Sequence, residues 1–207
     1  MRGITRSATW MSAVSVPALV IAGCAETEER PPEKPKPAAV KSPSLPVDYP
    51  KAARWEPSHP GNYTASDSRK IDMVVIHTVE GTKTGCISWF KNPKSQATAH
   101  YVVGFDGEVV QMVREKDIAW HAGNWDYNVR AVGIEHEGHA GKNEWTEAQL
   151  KASSELTAYL CRKYGIPIDR RHIIGHKEVP KQDHWDPGPQ FDWDNYMKLV
   201  IQTLGVR

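Results

Sequence analysis

Apolar and polar positions divide this chain into stretches of recognisable period. Ile71-Asp72-Met73-Val74-Val75-Ile76 is a short run rich in β-branched residues, which predicts a buried strand with His77 at its carboxyl end. His100 to Phe105 and Glu108 to Val113 flank Asp106-Gly107, a pair that tolerates positive φ and predicts a two-residue hairpin. In Val132-Gly133-Ile134-Glu135-His136-Glu137 the apolar residues alternate with acidic ones, so Glu135 points away from the apolar face. A short helix is predicted around Cys86 to Phe90, stopping before Pro93.

The clearest helix spans residues 147–164. Thr146 stands at its N-cap with Gln149 reaching back, Trp145 and Leu150 form a hydrophobic staple, and Gly165 followed by Pro167 ends it. His172 to Gly175 reads as a last short strand that hands His176 to a proline-stiffened loop, GHKEVPKQDHWDPG. Strands and helices alternating in this way predict an α/β fold, a mixed central sheet covered by helices on both faces.

The first 24 residues break the pattern. Arg2 and Arg6 precede an uncharged apolar run from Met11 to Ala22, about half the length a membrane-spanning helix needs, so an export signal is the better reading. It ends in Ile21-Ala22-Gly23-Cys24, which resembles the lipobox of bacterial lipoproteins. That resemblance implies cleavage before Cys24 and a lipid anchor on it, tethering the protein to a membrane of the cell envelope on the periplasmic or extracellular face; an ordinary export signal is the alternative. Residues 25–51 are rich in Pro, Glu and Lys without apolar period, and are expected to be a solvated linker to a folded domain at 52–207.

Composition adds less. With 26 Lys+Arg against 25 Asp+Glu the net charge is +1, which offers nothing for nucleic acid, and 207 residues suit one catalytic-sized domain, expected to act as a monomer. Setting Cys24 aside leaves Cys86 and Cys161, an even pair that in an exported protein is either bridged or two separately buried thiols.

His77 and His176 both stand at carboxyl ends of predicted strands, where open α/β sheets gather ligands. Asp186 follows His176 across the proline loop, and two imidazoles with one carboxylate are a ligand set of hydrolytic zinc sites. Spacing alone leaves open that these are merely hydrogen-bonded histidines.

The ordered segments VVIHTVEG, TAHYVVGFDGEVVQMV, AWHAGN, VGIEHEG and GHKEVPKQDHWDPGPQFDW are similar to the zinc amidases that cleave N-acetylmuramoyl-L-alanine bonds in peptidoglycan, a family that includes amidase-type phage lysozyme and animal peptidoglycan recognition proteins. The resemblance covers roughly residues 70–200. It implies a three-layer αβα fold, one Zn2+ per chain held by His77, His176 and Asp186, the general base on Glu135, and peptidoglycan or a muropeptide as substrate. It also implies a rival reading, a non-catalytic peptidoglycan-binding receptor, although all three ligand positions are filled here. Two positions depart from relatives: His184 stands where many carry an oxyanion-stabilising lysine, and Ala99 where the phage enzyme has tyrosine. Trp120, His121, Asn124, Trp125 and Asn128 offer aromatic faces and amides suited to a sugar and a peptide, and are expected to rim the substrate groove; His121 can equally stand behind the ligands, supporting them without touching the metal, or be purely structural.

Overall fold

Residues 47–205 are described by the computed structural model. In chain order they form β1 (Arg54–Trp55), β2 (Tyr63–Thr64), β3 (Met73–Thr78), α1 (Lys83–Phe90), β4 (Tyr101–Val103), β5 (Val109–Gln111), β6 (Ile118–Ala119), α2 (Trp125–Arg130), β7 (Ala131–His136), α3 (Glu147–Tyr164), β8 (Ile173–Gly175) and α4 (Trp193–Leu204). Six strands make one sheet in the order β1-β5-β4-β7-β3-β8; β4 and β5 run antiparallel and the other neighbours parallel. A parallel strand between two others must be apolar on both faces, which is why all six residues of β3 are buried.

Strand alternation sends the two sets of side chains to different layers. Val74, Ile76, Tyr101, Val103, Val132 and Ile134 pack with Leu156, Leu160, Tyr196 and Val200 of α3 and α4 into the larger core. On the opposite face Val102 and Val110 meet Ile87 and Phe90 of α1, and Met73, Val75 and Ala131 pack with Ala122 and Ile174. Each such aliphatic side chain contributes about 1.5–3 kcal/mol when fully buried. The result is the expected α/β architecture, with helices on both faces of a mixed sheet.

Local differences have physical causes. The turn after β4 is not a two-residue one. Gly107 donates its N–H to the Gly104 carbonyl at 2.9 Å, and of the Asp106-Gly107 pair only Gly107, at φ +78°, is left-handed. This gives a tight turn closed by a left-handed glycine, a longer connection than the dipeptide implied. Thr146 does cap α3, accepting from Gln149 N at 3.1 Å, but the Gln149 side chain does not reach back. Its amide nitrogen instead donates to the carbonyls of Val103 at 3.2 Å and Glu137 at 2.9 Å, tying α3 to the sheet. The first predicted helix begins earlier than Cys86, because Thr82 caps it by accepting from Gly85 N.

The folded part also starts before Ala52. Tyr49 is buried beside Tyr101 and Tyr159, and Asp48 accepts hydrogen bonds from Gln111 and from the Glu115 backbone, so the expected linker boundary at 51 lies too far along the chain. The export signal, Cys24 and most of the linker lie outside the described residues. Among those described, no helix is long and apolar enough to cross a membrane.

The Cys86–Cys161 bridge is contradicted. Both thiols are free: Cys86 packs with the α1 layer and Cys161 with the α3 core, so the sheet stands between them.

Candidate metal centre and active site

His77 is the fifth residue of β3, and Glu135 is its direct partner in register on β7, so parallel pairing places both side chains on one face. That face is opposite to Ile76 and Ile134, which point into the α3–α4 core. His176 follows β8, the other neighbour of β3, and opens a single 3-10 turn, His176–Glu178, closed by Glu178 accepting from Gly175 N at 2.7 Å. The proline loop then folds back: Lys177 N donates to the Asp186 carbonyl at 3.0 Å, which returns Asp186 to the histidines.

Nδ1 of His77 lies 3.3 Å from Asp186 Oδ2, and Nδ1 of His176 lies 3.2 Å from Asp186 Oδ1. One donor atom from each of the three residues lies within 4.8 Å of the others, and all three residues are buried. Charge-assisted hydrogen bonds to a carboxylate are shorter, about 2.7–2.9 Å. The separations here are longer than such bonds, and two imidazoles with one carboxylate this close together are a donor set that one cation can share. Protonation agrees. Burial lowers the His77 imidazole to about 4, so it is neutral at pH 7. Burial works to raise the Asp186 carboxyl, but the imidazoles of His176 and His77 outweigh it and hold the group well below the usual carboxylate range. A neutral imidazole and an ionised carboxylate are the ligand forms a divalent cation takes. The trio therefore fits a metal ion.

Glu135 faces the same space. Its Oε2 is buried with no hydrogen-bond partner among the described residues, and burial, then the charges of Asp186 and Glu80, push its carboxyl well above the ordinary value. His184 lies with its ring stacked on His176, centroids 4.2 Å apart and planes 19° apart, while its Nδ1 is 3.7 Å from Asp186 Oδ1. Its side chain is 58% exposed, so it sits at the mouth of the site. These groups line one cleft of about 650 Å3 together with Thr78, Trp120, His121 and Asn128.

The block from Trp120 to Asn128 divides. Trp120 lines the cleft with its indole N–H donated to Thr64 Oγ1 at 3.0 Å. The Asn128 side-chain oxygen is occupied in accepting from His121 N and Ala122 N, at 3.0 and 2.7 Å. Asn124 caps α2 by accepting from Asp126 N and donates to the Pro180 carbonyl, so its amide is spent on structure. Neither Asn124 nor the exposed Trp125 is among the residues lining the cleft, which corrects their placement on the rim.

Sequence reading missed two other tryptophans. Trp89 on α1 and Trp185 beside Asp186 both line the cleft, 50% and 53% exposed. Trp185 interrupts the two functional residues His184 and Asp186, and that adjacency was the one available signal. Trp89 had none, since a tryptophan in a short, largely apolar helix reads as core.

A family model described as N-acetylmuramoyl-L-alanine amidase matches residues 67–189. N-acetylmuramoyl-L-alanine amidase A of Achromobacter lyticus is 36% identical over 173 residues, covering 74% of this chain and 96% of the relative. The 1,6-anhydro-N-acetylmuramyl-L-alanine amidase AmpD of Haemophilus influenzae is 33% identical over 111 residues, 51% of this chain and 59% of that protein. The crystal structure of a selenomethionine AmpD derivative superposes with a TM-score of 0.63 at 27% identity, covering 75% of this chain and 99% of that one. Overall fold and sequence kinship converge, and the chain belongs to the N-acetylmuramoyl-L-alanine amidase family as one of its enzymes.

Proposed function

We propose that this protein is a zinc-dependent amidase that hydrolyses the bond between the lactyl carbonyl of N-acetylmuramic acid and L-alanine in peptidoglycan or its fragments. The observation that carries the reading is the register pair His77 and Glu135, which sets a carboxylate with a buried, unpartnered Oε2 beside a three-donor cluster in one cleft. His77, His176 and Asp186 would hold Zn2+, which when bound would supply a Lewis acid able to make water nucleophilic near neutral pH and to polarise the scissile carbonyl.

The remaining steps belong to the chain. Glu135 takes the proton of the attacking water and passes it to the departing alanine nitrogen; its buried oxygen, open toward the cleft, suits it to that task. His184 stands at the mouth, where an imidazole N–H can donate to the carbonyl oxygen as negative charge grows there. Trp120, Trp89 and Trp185 line the cleft, and aromatic rings suit the apolar faces of sugar rings. The lipobox-like segment ending at Cys24 supports export and tethering within the cell envelope, where such a substrate is found.

The test is mass spectrometry of products released from defined muropeptides, before and after chelation and after zinc is returned. Free stem peptide beginning with L-alanine, lost on chelation and on Glu135→Gln, is the expected result. Wall binding without any release would leave the receptor reading, and release that survives complete chelation would remove the role of zinc.

A further inference from the structure

We propose that His121 is a positioning residue that holds the His77 imidazole in the one tautomer able to bind a cation, so that metal affinity depends on a side chain that touches no metal. The inference rests on the reading of His77, His176 and Asp186 as the metal site.

The two ring nitrogens of His77 face different partners. Nδ1 faces Asp186 Oδ2 at 3.3 Å, and Nε2 lies 3.0 Å from Nδ1 of His121. A neutral imidazole carries one proton, and a nitrogen that gives its lone pair to a cation must be bare. With Nδ1 turned toward the cluster, the His77 proton belongs on Nε2. The hydrogen-bond partner of that nitrogen among the described residues is Nδ1 of His121, which must then be the acceptor. His121 in turn carries its own proton on Nε2. That atom is buried and has no hydrogen-bond partner among the described residues, so no donor there forces His121 into the opposite tautomer.

The fold builds this contact deliberately around His121. A Cβ on Gly133 of β7 would stand 2.5 Å from His121 Cγ and 2.7 Å from its Nδ1, so the ring occupies the space a side chain at 133 would fill. Asn128 clamps the backbone on either side of the ring's attachment through the amides of His121 and Ala122. Gly133 N donates to His100 Nδ1 at 3.0 Å, and the His100 ring lies 5.8 Å from that of His121, closing the other side. Only 8% of His121 is exposed, far less than a residue on a substrate rim presents. Partners of this kind orient ligating histidines, and their loss typically weakens metal binding about 10- to 100-fold.

The experiment compares His121→Ala with His121→Asn, whose side-chain oxygen can stand close to where Nδ1 stood and accept the same proton. Zinc affinity is measured on the purified proteins by competition with a chromogenic chelator at one pH. The His77 tautomer is read by nitrogen NMR of histidine-labelled protein, and urea unfolding of the metal-free proteins controls for folding. Expected are a loss of about 10- to 100-fold in zinc affinity for His121→Ala, near wild-type affinity for His121→Asn, and an Nε2-protonated His77 in wild type and His121→Asn alone. Unchanged affinity in His121→Ala, or equal losses in both variants with matched metal-free stability, would overturn the proposal while leaving the metal site intact. A wild-type protein whose zinc binding ignores His77→Ala would overturn the metal reading, and this proposal with it.

Discussion

Gly188 and Gly165 share a left-handed backbone, φ +88° and +68°, yet meet different surroundings. An alanine at either position must hold a conformation that costs L-residues about 1–2 kcal/mol. At 165 nothing lies within 4 Å of the added Cβ, whereas at 188 it would stand 1.9 Å from the Ala140 carbonyl oxygen and 2.7 Å from its carbon. Those are backbone atoms, so no rotamer change relieves the overlap, and overpacking of this kind adds about 1–3 kcal/mol. The expected losses are therefore about 1–2 kcal/mol for Gly165→Ala and about 2–5 kcal/mol for Gly188→Ala. Ala140 is held in turn by Glu80, which accepts from its N–H at 2.8 Å, so the 186–188 segment is the part that yields. Asp186 moves with it, and zinc affinity should fall in Gly188→Ala while staying unchanged in Gly165→Ala. Urea midpoints at constant m-value and chelator competition measure the two effects. Equal destabilisation by both substitutions, or a Gly188→Ala protein with wild-type zinc affinity, would refute the claim that this close backbone contact sets the position of Asp186.

Three further outcomes can be checked. Arg69 donates to the carbonyls of Asp117, Asn128 and Ala131 at 2.8, 3.2 and 2.7 Å, bracing the ends of the segment that carries His121. At about 1–3 kcal/mol for each of the three orphaned acceptors, Arg69→Met should cost at least about 3 kcal/mol in chemical denaturation. Burial, then Glu155 and Tyr159, raise the buried Tyr49 hydroxyl to about 12. The folded state thus keeps a proton that the unfolded chain loses near pH 10, so stability is intact below pH 10 and falls as pH rises toward 12. About 2–3 kcal/mol of that loss should be absent in Tyr49→Phe, measured by urea unfolding across the range. Trp89→Ala and Trp185→Ala should raise KM for glycan-bearing substrates about 2- to 12-fold, the equivalent of one aromatic contact of about 0.5–1.5 kcal/mol. Unfolding midpoints should hardly move, because both side chains are half exposed; steady-state kinetics against a sugar-free peptide amide supply the contrast.

Much of the scaffold was legible because strand and helix periods are local properties. The run at Met73 to Ile76, the alternation at Val132 to Glu137 and the capped α3 each carry their own face in their spacing, and strand alternation alone sent Glu135 away from the core. His77, His176 and Asp186 stood out because the residue types that bind metals cluster at strand ends and on a proline loop. Pairing across the sheet was not local. Nothing in the spacing of Cys86 and Cys161 says that the sheet separates them, and the composition around Asp48 and Tyr49 hides a tyrosine that packs against β4. Only the folded chain decides that Asn124 spends its amide on a cap, that Trp89 turns to the cleft, and that His121 meets His77 through the space left by Gly133. Each of those depends on which distant residue fills the neighbouring volume, and close packing between layers, unlike periodicity along a strand, has no signature in a single stretch of sequence.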